Sequence, residues 1–217
     1  MSRITRFNAN NTVDELFGPA LKFVPGVGIG NIVSSGASVY TWSHTVLNTL
    51  HRVLIVIVGS FSSATPSVTY GGVAMTAINT SINSGYNLRA SVFYMLNPPV
   101  GTANVVVSGV STSASSVSMD LYGVSQTSPI GTSQISNGNS ASVSLTCTVL
   151  TGGLVIDCLS KNSVAQPSYS SGQAQLGFTV HNSSYSESSS QSRGGTVTQT
   201  WSGNAQNAYC AVPINAG

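Results

Sequence analysis

Charge is what this chain of 217 residues most lacks: seven Lys or Arg and five Asp or Glu make up 6% of it. An ordinary soluble domain carries about 25%. A net charge of +2 excludes the clustered Lys and Arg that neutralise phosphates in a nucleic-acid interface. Five acids also leave few pairs from which to build two-carboxylate chemistry. Long apolar runs are missing too. The longest, VLIVIV at 53–58, falls far short of the roughly 20 residues that span a bilayer, so no membrane partner is expected. Residues 1–11 hold no apolar stretch of the secretory type, and no signal peptide is expected. Cysteine is scarce: Cys147, Cys158 and Cys210 are odd in number and too few for a disulfide framework. If Gly152 and Gly153 form a two-residue hairpin turn, Cys147 and Cys158 face each other at a hydrogen-bonded pair, where side chains diverge. Three buried free thiols are the expectation.

Hydrophobic residues make up 41% of the chain, which is not the composition of disorder. Hydroxyls and amides replace the missing charge, with 38 Ser, 20 Thr and 17 Asn. The charges that remain are unevenly placed, since Arg3, Arg6, Asp14, Glu15 and Lys22 all fall in the first 22 residues. That divides the chain into a charged N-terminal arm, residues 1–30, and an almost uncharged body, residues 31–217, of a size for one all-β domain. In the body, short runs of β-branched and aromatic residues are separated by Gly, Pro, Asn and Ser. Strands are expected over 38–46, 51–60, 67–70, 73–79, 88–96, 103–110, 117–124, 140–150, 154–160, 173–180, 196–201 and 208–214. Residues 39–44 and 142–147 alternate with period two, giving one buried and one wet face. Residues 53–58 are apolar on both faces and read as a central strand covered on both sides. Gly71-Gly72 and Gly152-Gly153 are hairpin signals. The pattern predicts an all-β fold, a two-sheet antiparallel β-sandwich of jelly-roll type with a mostly irregular N-terminal arm. Helical periodicity is confined to 13–23, where Gly18 and Pro19 limit it to one turn. Residues 182–195 (NSSYSESSSQSRGG) read as a flexible surface loop.

Catalytic groups do not assemble in the sequence. Asp120 and Asp157 sit singly in strands and Glu187 in the serine-rich segment, so no carboxylate pair for glycoside hydrolysis is expected. The nearest approach to a nucleophile elbow, GVSQT at 123–127, lacks its second glycine, and no His and acid are placed to activate a serine. His44, His51 and His181 have no metal-ligand spacing. The glycines of GVGIG at 26–30 follow no strand and form no phosphate loop. The chain is therefore expected not to be an enzyme, with no catalytic residue, cofactor or metal. Trp42 and Trp201 lie in alternating strands and are expected in the core. Tyr169 and Tyr185, among Ser and Gly in loops, are the candidates for stacking on a host-surface glycan.

Four stretches taken in order are more telling: WSHTV at 42–46, SVTYGGVAMT at 67–76, LNPPVGTANVVV at 96–107 and YGVSQTSPIG at 122–131. Each has a structural reason, such as Gly71-Gly72 for a hairpin and Pro98-Pro99 to stop a strand. Together they resemble a β-sandwich module that recurs in bacteriophage structural proteins and bacterial surface proteins. The resemblance covers roughly residues 36–217. It implies a scaffold for display or attachment and carries no catalytic residues.

The expectation that follows is a non-enzymatic virion protein on the capsid surface, a decoration or cement protein. Its arm would dock on the major capsid protein or another virion protein. Arg3 and Arg6 would meet capsid carboxylates, Phe7, Leu16, Phe17, Leu21 and Phe23 would supply apolar anchors, and Lys22 belongs to the same partner-binding set. The alternative for these residues is that the arm folds back over its own sandwich. A homo-oligomer, a trimer at a symmetry axis before others, would cover open sheet edges. The second functional expectation is a receptor- or carbohydrate-binding module of a head or tail fibre.

Overall fold

Runs of β-branched residues broken by Gly, Pro and Asn every few positions leave helices little to build on. The computed structural model accordingly has only strands among its described residues. It describes residues 38–62, 64–110, 113–181 and 184–217, with the backbone of four short strands before them. Those four are β1 (Arg6–Phe7), β2 (Val13–Asp14), β3 (Lys22–Val24) and β4 (Val33–Ser34). The body continues with β5 (Val39–Val46), β6 (Val53–Phe61), β7 (Ser67–Tyr70), β8 (Val73–Ala74), β9 (Thr76–Asn83), β10 (Leu88–Leu96) and β11 (Gly101–Ser108). Then come β12 (Ser113–Tyr122), β13 (Gln134–Thr146), β14 (Leu154–Lys161), β15 (Ser168–Tyr169), β16 (Gln173–His181), β17 (Tyr185–Ser192) and β18 (Thr196–Ile214).

These strands pack as an antiparallel sandwich, with one layer more than the two expected. A front sheet runs β5-β11-β7-β8, a central sheet β3-β12-β6-β10-β9, and a rear sheet β13-β18-β14-β17-β16. The run at 53–58 lies in the middle, covered on both sides as its composition requires. Leu54, Val56 and Val58 pack on Tyr40, Trp42, Val68 and Val105 of the front sheet. Val53, Ile55 and Ile57 pack on Leu154, Ile156, Cys158 and Cys210 of the rear sheet. Burying each such aliphatic side chain contributes about 1.5–3 kcal/mol.

The rear sheet also covers its own outer face. Ser140 pairs with Ala205 but Ser142 with Thr200, so residues 201–204 have only Ala141 opposite them. That bulge bends β18 at Gly203, whose φ is 74°. Beyond the bend Val143, Cys147, Val197 and Trp201 pack on Val155, Leu159, Tyr209 and Ala211, forming a third core. Residues 196–214 are therefore one bent strand, where two were expected.

Two further expectations are corrected. Gly71-Gly72 does close a two-residue hairpin, with Tyr70 opposite Val73 and both glycines at positive φ. Gly152-Gly153 does not: β18 lies between β13 and β14, so Cys158 faces Cys210 and not Cys147. Asn162 N donates to Gln206 O at 2.9 Å, which fixes the parity of the ladder. Cys158 and Cys210 then form a hydrogen-bonded pair, with Cα atoms farther apart and side chains diverging. All three thiols are free and buried.

The larger correction is the serine-rich segment. Residues 185–192 are no loop: they form β17, inserted between β14 and β16 and buried along most of its length. Serine is small enough for an interior strand, provided that its hydroxyl finds a partner. Ser186 meets Lys161, Ser188 meets Gln199 and Ser190 meets Asp157.

The first 34 residues contribute four strands. β3 and β4 pair along the outer edge of β12, Val24 opposite Asp120 and Val33 opposite Ala114. For Lys22 and Phe23 this is the fold-back arrangement. The ends of the segment read as helical, Val13–Asp14 and Lys22–Val24, are strands. β1 and β2 pair with each other, Arg6 opposite Asp14, and with no other described strand. Arg3, Leu16, Phe17 and Leu21 lie outside the described residues.

Candidate functional site

The seven charges of the body are almost all inside it. Arg89, Asp120, Asp157, Lys161 and Glu187 are buried, Arg52 is half-buried and Arg193 is exposed. Any chemistry these groups perform is therefore set by how each is satisfied in the interior.

Three of them define polar clusters that the sequence does not announce. In the first, β5 and β12 face each other across the front and central sheets. Trp42 Nε1 donates to Ser118 Oγ at 2.9 Å, and Ser118 Oγ lies 3.0 Å from His44 Nδ1. His44 Nε2 is 3.6 Å from Asp120 Oδ1. The indole N–H can only donate, so Ser118 Oγ accepts from Trp42, and the direction of its contact with His44 Nδ1 follows the imidazole tautomer. The order serine, histidine, acid is that of a hydrolase triad. Its setting is different: all four side chains are buried, and the serine oxygen already accepts a hydrogen bond from Trp42. The cluster joins two sheets and leaves the buried Ser118 no open face for a substrate.

The second cluster is the polar centre of the third core. Asp157 projects from β14 among residues of β16, β17 and β18. It accepts hydrogen bonds from Ser190 N at 2.7 Å, Ser190 Oγ at 2.6 Å, Tyr209 OH at 2.7 Å, Gln199 Nε2 at 3.0 Å and Gln173 Nε2 at 3.2 Å. Complete burial raises its carboxyl above the ordinary value, opposed by the bonds from Ser190, Tyr209 and Gln199. The same burial, together with the neighbouring Asp157 carboxylate, pushes the Tyr209 phenol well up. Four residues further along β14, Lys161 Nζ donates to Ala165 O at 2.6 Å, Ser163 O at 2.9 Å and Ser186 Oγ at 2.5 Å. It lies 5.8 Å from the ring centroids of Phe178 and Trp201. Burial lowers its pKa from 10.5 to about 8, against the pull of Glu187.

The third group, Glu187, faces the central sheet from β17. It lines a narrow cleft with Gly59, Ser116, Gly177 and Ser189. A Cβ at Gly59 would stand 2.3 Å from Glu187 Cγ, so the glycine makes room for the acid.

The carboxylates of Asp120, Asp157 and Glu187 thus occupy three separate interior positions, each with its own partners. Among the described residues no group of three or more His, Cys, Asp or Glu side chains is arranged to hold a metal ion. Trp42 and Trp201 are core residues. Tyr169 and Tyr185 lie in strands β15 and β17, not in loops, and both are half-buried. Tyr185 stacks on Phe61 with ring centroids 4.0 Å apart. Burial is also the main cause raising the Tyr169 phenol. The exposed tyrosine is another one, Tyr86, in the turn between β9 and β10; a lone Tyr between Gly85 and Asn87 was the only sequence signal for it.

Comparison of the chain with models of protein families, with curated proteins and with solved structures finds no match.

Proposed function

We propose that this chain is a non-enzymatic structural protein of a bacteriophage virion, a capsid decoration protein whose sandwich projects and whose N-terminal segment holds the shell. The observation that carries the reading is where the charges are. The body keeps five of its seven charges in its interior, so its outside offers a partner hydroxyls, amides and scattered apolar side chains. The first 22 residues carry Arg3, Arg6, Asp14, Glu15 and Lys22. Within them the β1–β2 ladder pairs with no other described strand, and an isolated two-stranded ladder is marginal in water without a surface to pack on.

Several features support a role without catalysis. Among the described residues the acids are separated, the serine–histidine–acid cluster is sealed between sheets, and both faces of the central sheet are filled. A surface with so little charge gains nothing from long-range steering, so binding would rest on contact area and on repeated copies. A trimer at a symmetry axis of the shell meets that requirement and shields sheet edges such as β5. The test is co-sedimentation of the intact chain with phage shells that lack it. Saturable binding at a fixed number of copies per shell is expected, and failure to bind any shell would sink the reading.

A further inference from the structure

The turn joining β9 to β10 is exposed yet firmly held. Tyr86 N donates to Asn83 O at 3.2 Å, and Asn87 O accepts from Ser62 N at 2.6 Å. Asn87 itself is in the left-handed region, with φ at 54°. A non-glycine residue there costs free energy that the surrounding bonds must offset. The result is that Tyr86, 43% exposed, stands on a fixed base.

Beside that turn the structure sets an amide pair. Asn83 Nδ2 donates to Gln206 Oε1 at 3.0 Å, and also reaches Asn207 O at 3.3 Å and Gly138 O at 3.4 Å. Gln206 is fixed from its backbone as well, since its carbonyl accepts from Asn162 N. These bonds assign the two amides. Asn83 Nδ2 and Gln206 Oε1 are used inside the protein, leaving Asn83 Oδ1 as an acceptor and Gln206 Nε2 as a donor for something outside. Residues 81–88, 137–140 and 203–207 contain no charged side chain. The nearest charged positions on their neighbours in the central and rear sheets, Arg89 and Lys161, are buried.

We infer that Tyr86, Asn83 and Gln206 form a shallow binding site for a neutral saccharide. A pyranose ring presents an apolar C–H face, which lies against an aromatic ring, and an equatorial rim of hydroxyls that both donate and accept. An exposed tyrosine whose turn begins at Asn83, with Asn83 in turn bonded to Gln206, brings an aromatic face, an amide acceptor and an amide donor to one end of the sheets, which matches that division. Among the described residues, an acidic sugar finds no exposed cation here. A protein partner would want a wider apolar rim around its aromatic anchor, and the surroundings of Tyr86 are amides, serine and glycine, with Ile82 the exposed aliphatic of β9. A held turn also loses little freedom when a ligand arrives. The site stands independently of the decoration reading, because it lies in the sandwich and not in the N-terminal segment.

The experiment applies the intact protein to an array of neutral and acidic glycans, with affinities for the best neutral ligand then measured in solution. Binding to neutral glycans is expected. Tyr86→Ala should weaken it at least about tenfold and Gln206→Ala by several-fold, while Tyr86→Trp retains it. Because Tyr86 is exposed, its alanine variant should melt within a few degrees of the parent, which separates loss of binding from loss of fold. Shell occupancy by Tyr86→Ala should be unchanged, so failure here leaves the decoration reading standing. Binding of acidic glycans alone, neutral binding indifferent to Tyr86→Ala, capture of proteins with no glycan bound, or no binding at all would each overturn the inference.

Discussion

At the scale of single residues, stability depends on how buried charge is satisfied. Asp157 is the clearest case, with both carboxylate oxygens occupied by donors from β16, β17 and β18. Replacing it by alanine strands the Tyr209 hydroxyl and the Gln199 amide in the third core. Asp157→Ala should cost about 3–5 kcal/mol in denaturant unfolding, with Asp157→Asn in between. Lys161 supplies a test in pH. Its amine keeps its proton up to 10.5 in the unfolded chain but only to about 8 in the fold. Between those values the unfolded state binds more protons, so this group makes the protein more stable as pH rises and its full cost is present below pH 8. Measured against Lys161→Met, wild type should gain about 2–3 kcal/mol between pH 7.5 and 10.5. The comparison with the variant cancels the opposing contribution of the buried thiols, which Cys158 and Cys210 carry up through the same range. A flat difference would mean that the amine is not held as described.

Elements show where sequence patterns carry information and where they lose it. β7 and β10 have the bounds that alternation and β-branching predict, Ser67–Tyr70 and Leu88–Leu96. β17 was hidden because its serines share a composition with flexible linkers, and only their partners on β14 and β18 reveal an interior strand. Hydrogen exchange distinguishes the two: amides of Ser188, Ser189 and Ser190 should exchange as slowly as those of β14, whereas a loop would exchange within seconds. The close approach of β6 and β17 gives a second test. Gly59→Ala forces a Cβ into Glu187 and should destabilise by about 1–3 kcal/mol. The polar clusters were illegible for a related reason. His44 and Ser118 are 74 residues apart and meet only because the front sheet lies on the central one. Periodicity predicts which face of a strand is buried, not which strand of another sheet it will meet.

For the whole molecule, the scarcity of charge has a sharper form in three dimensions than in one. The sandwich spends most of its few charges inside its own layers, and its surface is left nearly neutral. Four further charges, Arg3, Arg6, Asp14 and Glu15, fall in the first 21 residues, and on the proposed reading these are the handle for a shell. β3 and β4 close the edge of β12, so a cut that spares them keeps the central sheet complete. The most direct test is to remove residues 1–21 and measure occupancy on phage shells lacking the protein, alongside the thermal stability of the truncated chain. The account predicts a body that melts within a few degrees of the intact protein and no longer binds the shell. A truncated body that still fills the shell would contradict it.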